Sequence, residues 1–142
     1  MSDLNPADAA FADTLRARMP EAAFRDLTPA YLEEPRGLFH GGEGLLVAPG
    51  STEEVSAVLR FLNDTGAKIV ARGAGTSLSG GALPSEDAVV VGLARMNRIL
   101  DIDYANRVAR VETGVTNINI TNAVSGEGFF YAPDPSSQLA CT

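Results

Sequence analysis

Apolar positions along the chain change period several times, and each change marks an element. Ala9, Phe11, Ala12 and Leu15 form a modest helical face. They predict a helix over residues 5–19, with Asn5 as cap, Pro6 at the first helical position and Pro20 just past the end. Residues 21–34 read as short helical turns, with Thr28-Pro29 as a start signal, and "PRGLFHGGEG" reads as irregular. From Leu45 the run "LLVAP" predicts a short buried strand closed by Pro49. "STEE" then sets up a capping box, with Ser51 as cap and Glu54 three residues on. Val55, Val58, Leu59 and Leu62 follow at i, i+3, i+4 and i+7, the stripe of an amphipathic helix, which Gly66 ends. "AKIVA" predicts the next strand.

Strand, helix, strand over residues 45–71 implies parallel pairing with a right-handed crossover. Further strands are predicted at 88–93 ("AVVVGL"), 99–103 ("ILDID") and 107–114 ("RVARVETG"), with turns at 95–98 and 104–106. A short helix is predicted over 116–124, with Ile118, Ile120 and Val124 inside. The chain finishes on a strand-like aromatic run, "GFFY", and an extended segment containing prolines. There is no repeat and no low-complexity tract.

Between the second and third strands lies the stretch that carries chemistry, "ARGAGTSLSGGALP". From Gly73 to Gly81, five of nine positions are Gly or Ala and three are Thr or Ser. Glycine permits positive φ and lets backbone N–H groups approach a ligand without an intervening Cβ. Consecutive N–H groups can converge on one anion, and the Thr76, Ser77 and Ser79 hydroxyls add donors. A pyrophosphate suits such a surface. In parallel sheets, ligands lie outside the carboxyl ends of the strands, which is where this loop emerges. It is not a Walker A loop, because the Gly-Lys-Ser/Thr ending is missing. It is not the Rossmann fingerprint either, because Leu78 stands where the third glycine would fall. A flexible turn between two strands is the alternative reading.

Composition narrows the choices. The chain has 142 residues, 45% hydrophobic and 20% charged, enough for one domain with a real core. A net charge of −7 with scattered basic residues argues against nucleic acid. The longest apolar run, Ala88–Ala94, is far short of a bilayer span, so no transmembrane segment is expected, and the N-terminus lacks the pattern of a secretory signal. One cysteine, Cys141, permits no intrachain disulfide and reads as a small apolar residue. His40 and Cys141 stand alone, without ligand spacing, so no metal site is expected.

"ARGAGTSLSGGALP" and "YAPDPSSQLACT", with "LARMNRILDID" and "ARVETGV" between them, resemble the FAD-linked oxidases of the vanillyl-alcohol oxidase / p-cresol methylhydroxylase (PCMH) fold. The subgroup most resembled contains the glycolate oxidase flavoprotein subunit and the D-lactate and D-2-hydroxyglutarate dehydrogenases. The likeness covers roughly residues 31–142. It implies an α+β fold: the N-terminal subdomain of a PCMH-type FAD-binding domain, a small mixed sheet with flanking helices. Residues 1–40 would form an N-terminal helical segment and 41–142 the first part of the FAD-binding domain. Family members run to several hundred residues, so the chain is expected to be a fragment.

The resemblance also implies site residues. Arg72, Gly73, Ala74, Gly75, Thr76, Ser77, Ser79, Gly80 and Gly81 would wrap the FAD pyrophosphate, with Leu78 packed beneath the loop. Arg72 either neutralises phosphate charge or pairs with a nearby acid. Pro133 and Pro135 would fix an extended path, placing Asp134, Ser136, Ser137 and Thr142 along the flavin and its ribityl chain, although Asp134 also suits an Asx-type turn. Asn117, Asn119 and Asn122 read as solvent-facing or capping, and His40 as structural, with no covalent flavin link. No catalytic residue is assigned.

The function implied is oxidation of a D-2-hydroxy acid of the glycolate or D-lactate type to the 2-keto acid. Electrons would pass on to an iron–sulfur or other acceptor partner. A cytoplasmic protein is expected, peripheral to the inner membrane if its partner holds it there. Flavin chemistry without net redox, as in an alkyl-phosphate synthase, is the enzymatic alternative. A nucleotide-diphosphate-binding module and an inactive structural fragment are the others.

Overall fold

The computed structural model describes residues 9–25, 28–33, 35–42 and 44–142. The expected caps Asn5 and Pro6 lie outside these residues.

The first helix, α1 (Ala9–Arg16), buries Phe11, Ala12 and Leu15 and leaves Asp13 and Arg16 outward. Glu21–Ala23 form a single 3₁₀ turn, and Phe24–Arg25 form strand β1, where only helical turns were expected. β1 pairs antiparallel with β2 (Gly44–Val47). A one-turn helix, α2 (Pro29–Leu32), lies between them in sequence.

The strand–helix–strand reading holds for β2, α3 (Thr52–Thr65) and β3 (Lys68–Arg72). Ser51 Oγ accepts from the Glu54 N–H at 3.2 Å. The returning bond differs from the expected box: the Glu54 carboxylate accepts from Gly50 N at 2.7 Å. Gly66 closes α3 at φ +69°, a conformation natural to glycine.

The helix stripe is rotated from its expected position. Val58, Phe61 and Leu62 are buried, whereas Leu59 is exposed and Val55 half-buried. Phe61 turns the face inward because its ring packs on Phe11 of α1, with centroids 5.2 Å apart.

The strand pairing also differs. β2 and β3 are parallel but not neighbours: β4 (Ala88–Gly92) runs between them, parallel to both, giving the order β1-β2-β4-β3. All five β4 residues are buried, as a central strand covered on both faces requires. One core gathers Phe11, Leu15, Met19 and Ala23 with Val47, Val58, Phe61, Leu62, Val89 and Val91. The N-terminal helical segment is thus packed into the same core as the sheet.

A second, two-stranded sheet follows, the antiparallel hairpin β5 (Ile99–Asp103) and β6 (Val108–Val111). Its turn is an Asx turn, with Asp103 Oδ1 accepting from Asn106 N at 2.9 Å. Helix α4 (Asn117–Val124) comes next and buries Val124, with Ile118 and Ile120 only half-buried. The aromatic run Phe129–Tyr131 does not join a sheet among the described residues, and residues 136–140 turn rather than extend. No helix of the described residues is long and apolar enough to cross a membrane.

Candidate functional site

β3 delivers the Gly-rich loop at its carboxyl end, beside the end of β4, where Leu93 N donates to Arg72 O at 3.0 Å. Arg72 is the last strand residue and is buried, 6% exposed. Its guanidinium donates to three carbonyls: Nη2 to Ala30 O at 2.8 Å, and Nη1 to Ala82 O at 3.1 Å and Tyr31 O at 3.4 Å. It also lies over the Tyr31 ring, 4.8 Å from the centroid. The partners are therefore carbonyls, not the acid that the structural alternative named, and no carboxylate pairs with Arg72 among the described residues. A positive charge is held inside the base of the loop without a counter-charge among the described residues.

Gly75 sits over that charge. Its φ is +75°, and a Cβ built there would run into the Arg72 guanidinium. Glycine is thus required both by conformation and by close packing of the arginine. Among the described residues, the backbone N–H groups of Ala74, Gly75, Thr76, Ser77 and Leu78 carry no hydrogen-bond partner. Within the loop, Ser79 N donates to Ser77 Oγ at 3.3 Å and Leu83 N to Gly80 O at 3.0 Å. Gly81 faces open space. Leu78 does not pack beneath the loop: its side chain is 49% exposed, because Arg72 fills the space below, and its carbonyl accepts from Arg36 Nη2 at 2.6 Å.

The second expected segment meets the first at one point. The hydrogen side of Gly73 faces Thr142, whose Oγ1 occupies the place a Gly73 Cβ would take. Thr142 is brought there by the start of α4. Asn117 N donates to Cys141 O at 2.9 Å, Ile118 N to Gln138 O at 3.1 Å, and Asn117 Nδ2 to Pro133 O at 2.8 Å. The free N–H groups that open a helix are here filled by the segment itself, so they hold no ligand. Ser137 O accepts from both Ala140 N and Cys141 N at 2.8 Å, which shapes the turn. Asp134 and Ser136 are exposed and Ser137 half-buried.

Asn117 corrects an expectation. Asn119 and Asn122 are exposed, but Asn117 is buried, 7% exposed. A signal was available: Thr116 already takes the cap position, which leaves an asparagine at the first helical residue with no capping role.

Beside it, Val111, Ile120, Tyr131, Pro133, Cys141 and Thr142 help to line a cavity of about 310 Å³. Glu112 also borders it, its carboxylate held by Arg98 through Nη2 at 2.6 Å, Nε at 3.1 Å and the main-chain N at 2.8 Å. These bonds hold the Glu112 carboxyl below the ordinary carboxylate range, and raise Arg98. A larger hollow of about 510 Å³ lies between the hairpin and residues 128–131 and contains none of the expected site residues. His40 pairs with Glu33 in an isolated antiparallel bridge. The described residues contain no cluster of His, Cys, Asp or Glu able to hold a metal.

Residues 44–142 match the model of a family described as FAD binding domain. Over 98 residues the chain is 49% identical to the glycolate oxidase subunit GlcD of Escherichia coli K12, covering 69% of this chain and 20% of that protein. Over 122 residues it is 38% identical to a D-lactate dehydrogenase of Archaeoglobus fulgidus, covering 85% of this chain and 26% of that one. The chain thus spans about a fifth to a quarter of the curated relatives it matches. Among solved structures, an alkyldihydroxyacetonephosphate synthase superposes on all of the chain with a TM-score of 0.80 at 20% identity, using 29% of its own length. p-Cresol methylhydroxylase covers 85% of the chain with a TM-score of 0.69 at 21% identity, using 26% of its own. Both likenesses concern the fold, which is the expected PCMH type.

Proposed function

The chain belongs to the FAD binding domain family, and from that premise we propose that it is the pyrophosphate-binding part of a flavin-dependent oxidoreductase acting on a D-2-hydroxy acid. The observation that carries this reading is the pairing of five partnerless N–H groups, Ala74–Leu78, with the uncompensated charge of Arg72 beneath Gly75. Such a surface leaves main-chain donors free to receive an anion. Arg72 acts from below: both of its Nη atoms donate to carbonyls, and its charge lowers the cost of bringing phosphate to the loop.

In this reading Gly73, Ala74, Gly75, Thr76 and Ser77 contact the pyrophosphate, with Ser79, Gly80 and Gly81 completing the loop. Thr142 closes the gap at Gly73 and carries the Pro133–Ser137 segment, with Asp134 and Ser136, towards the rest of the nucleotide. Held there by these residues, FAD would supply the two-electron redox chemistry for converting the hydroxy acid to the 2-keto acid. The substrate class follows the relatives named for glycolate and D-lactate, and reduced flavin would pass its electrons to an iron–sulfur or other acceptor partner. A cytoplasmic location, at the inner membrane through that partner, completes the proposal.

The test is anaerobic mixing of the natural protein that carries this domain with glycolate, D-lactate and L-lactate. Bleaching of the flavin by the first two and not by L-lactate is expected. Bound flavin that none of them bleaches would overturn the substrate class, and a protein that retains ADP but no flavin would overturn the redox reading.

A further inference from the structure

Asn117 holds an atom that nothing among the described residues satisfies. Its amide is buried, and its two ends are distinguishable by chemistry: the Pro133 carbonyl at 2.8 Å accepts only, so the NH₂ group must face it. That leaves Oδ1 as the other end. It is buried and without a hydrogen-bond partner among the described residues. Leaving such an acceptor unpaired is costly, and buried side-chain oxygens are seldom left so.

Asn117 also lines the cavity of about 310 Å³ that reaches Thr142, the residue seated against Gly73 of the loop. The anion surface and the cavity therefore belong to one continuous site. Val111, Val115, Ile120, Tyr131 and Pro133 give the cavity mainly apolar walls. Both carboxylate oxygens of Glu112 at its border already accept from Arg98, so the buried acceptor left unpaired there is Asn117 Oδ1, which suits a flat heteroaromatic ring bearing an N–H.

We propose that Asn117 Oδ1 accepts a hydrogen bond from an N–H on a ring edge of the bound dinucleotide, either the exocyclic adenine amine or the flavin imide. This rests on the FAD reading above. Asn117 then joins two tasks: its Nδ2 fixes the Pro133–Thr142 segment, and its Oδ1 reads the ring placed beside it.

The experiment measures binding of three ligands to the chain: FAD, an etheno-adenine FAD that lacks the amine hydrogens, and an N3-methylated FAD that lacks the imide hydrogen. One of the two analogues should bind about tenfold more weakly than FAD, the value of roughly one lost hydrogen bond. Which one it is identifies the ring. In Asn117→Leu, FAD should bind about tenfold more weakly and the difference between FAD and that analogue should disappear. A residue that only clamped the segment would weaken all three ligands alike. Equal binding of all three by the native chain would overturn the proposal without recourse to any variant, as would discrimination that persists in Asn117→Leu. No binding of FAD by the native chain would instead sink the FAD reading, and this inference with it.

Discussion

Arg72 and Asn117 are both buried, and each side chain donates to main-chain carbonyls. Between them, Gly73 lies against the Thr142 side chain. A methyl at position 73 would displace Thr142 Oγ1 from its place. Moving that side chain costs about 1 kcal/mol, or roughly fivefold in affinity. Gly73→Ala should therefore weaken FAD binding roughly fivefold in the native background and hardly at all in a Thr142→Ala background, where the Cβ atoms lie at ordinary contact. Equal losses in both backgrounds would show that the two segments do not meet there. That the loop is bare was legible in its glycines. Sequence could not separate Gly75, which is bare so that Arg72 can pack under it, from Gly81, which faces open space.

At the scale of elements, local signals are legible in the sequence and strand pairings are not. Ser51, the apolar stripe and Gly66 announce α3 from within a short window. That β4 inserts between β2 and β3 is fixed by contacts distant along the chain, and no residue near a turn announces it. β1 was missed because two residues carry no periodicity. The aromatic run 129–131 was misread because aromatic residues fit a strand by propensity alone, while its place here is beside the hairpin, with Phe129 packed 5.5 Å from the Tyr104 ring.

The Glu112–Arg98 pair ties the end of the hairpin back to its start. Glu112 has its carboxyl lowered on folding, chiefly by the hydrogen bond from the Arg98 side chain. Its contribution to stability is therefore present above the ordinary glutamate range and is lost as pH falls through the lowered folded value. Asp103, lowered by Asn106 in the hairpin turn, adds in the same direction. Thermal midpoints measured down an acid series should decline less steeply in Glu112→Gln than in the native chain. Parallel declines would contradict the role given to the pair.

Across the whole molecule, one core joins α1, the four-stranded sheet and α3, and the loop stands at the carboxyl end of that sheet. The fold was legible because two long motifs occur in the right order at the right separation. Asn117, by contrast, is a single residue whose importance appears only when residues 133–142 fold back on it. The central claim is that the loop is bare so that its backbone can hold a pyrophosphate. The most direct test is a titration of the purified chain with FAD, followed through the flavin's visible bands, with ADP and FMN as competitors. The account predicts shifted flavin bands that ADP displaces and FMN does not, because only ADP carries the pyrophosphate. Unshifted bands at every FAD concentration, or displacement by FMN alone, would contradict it.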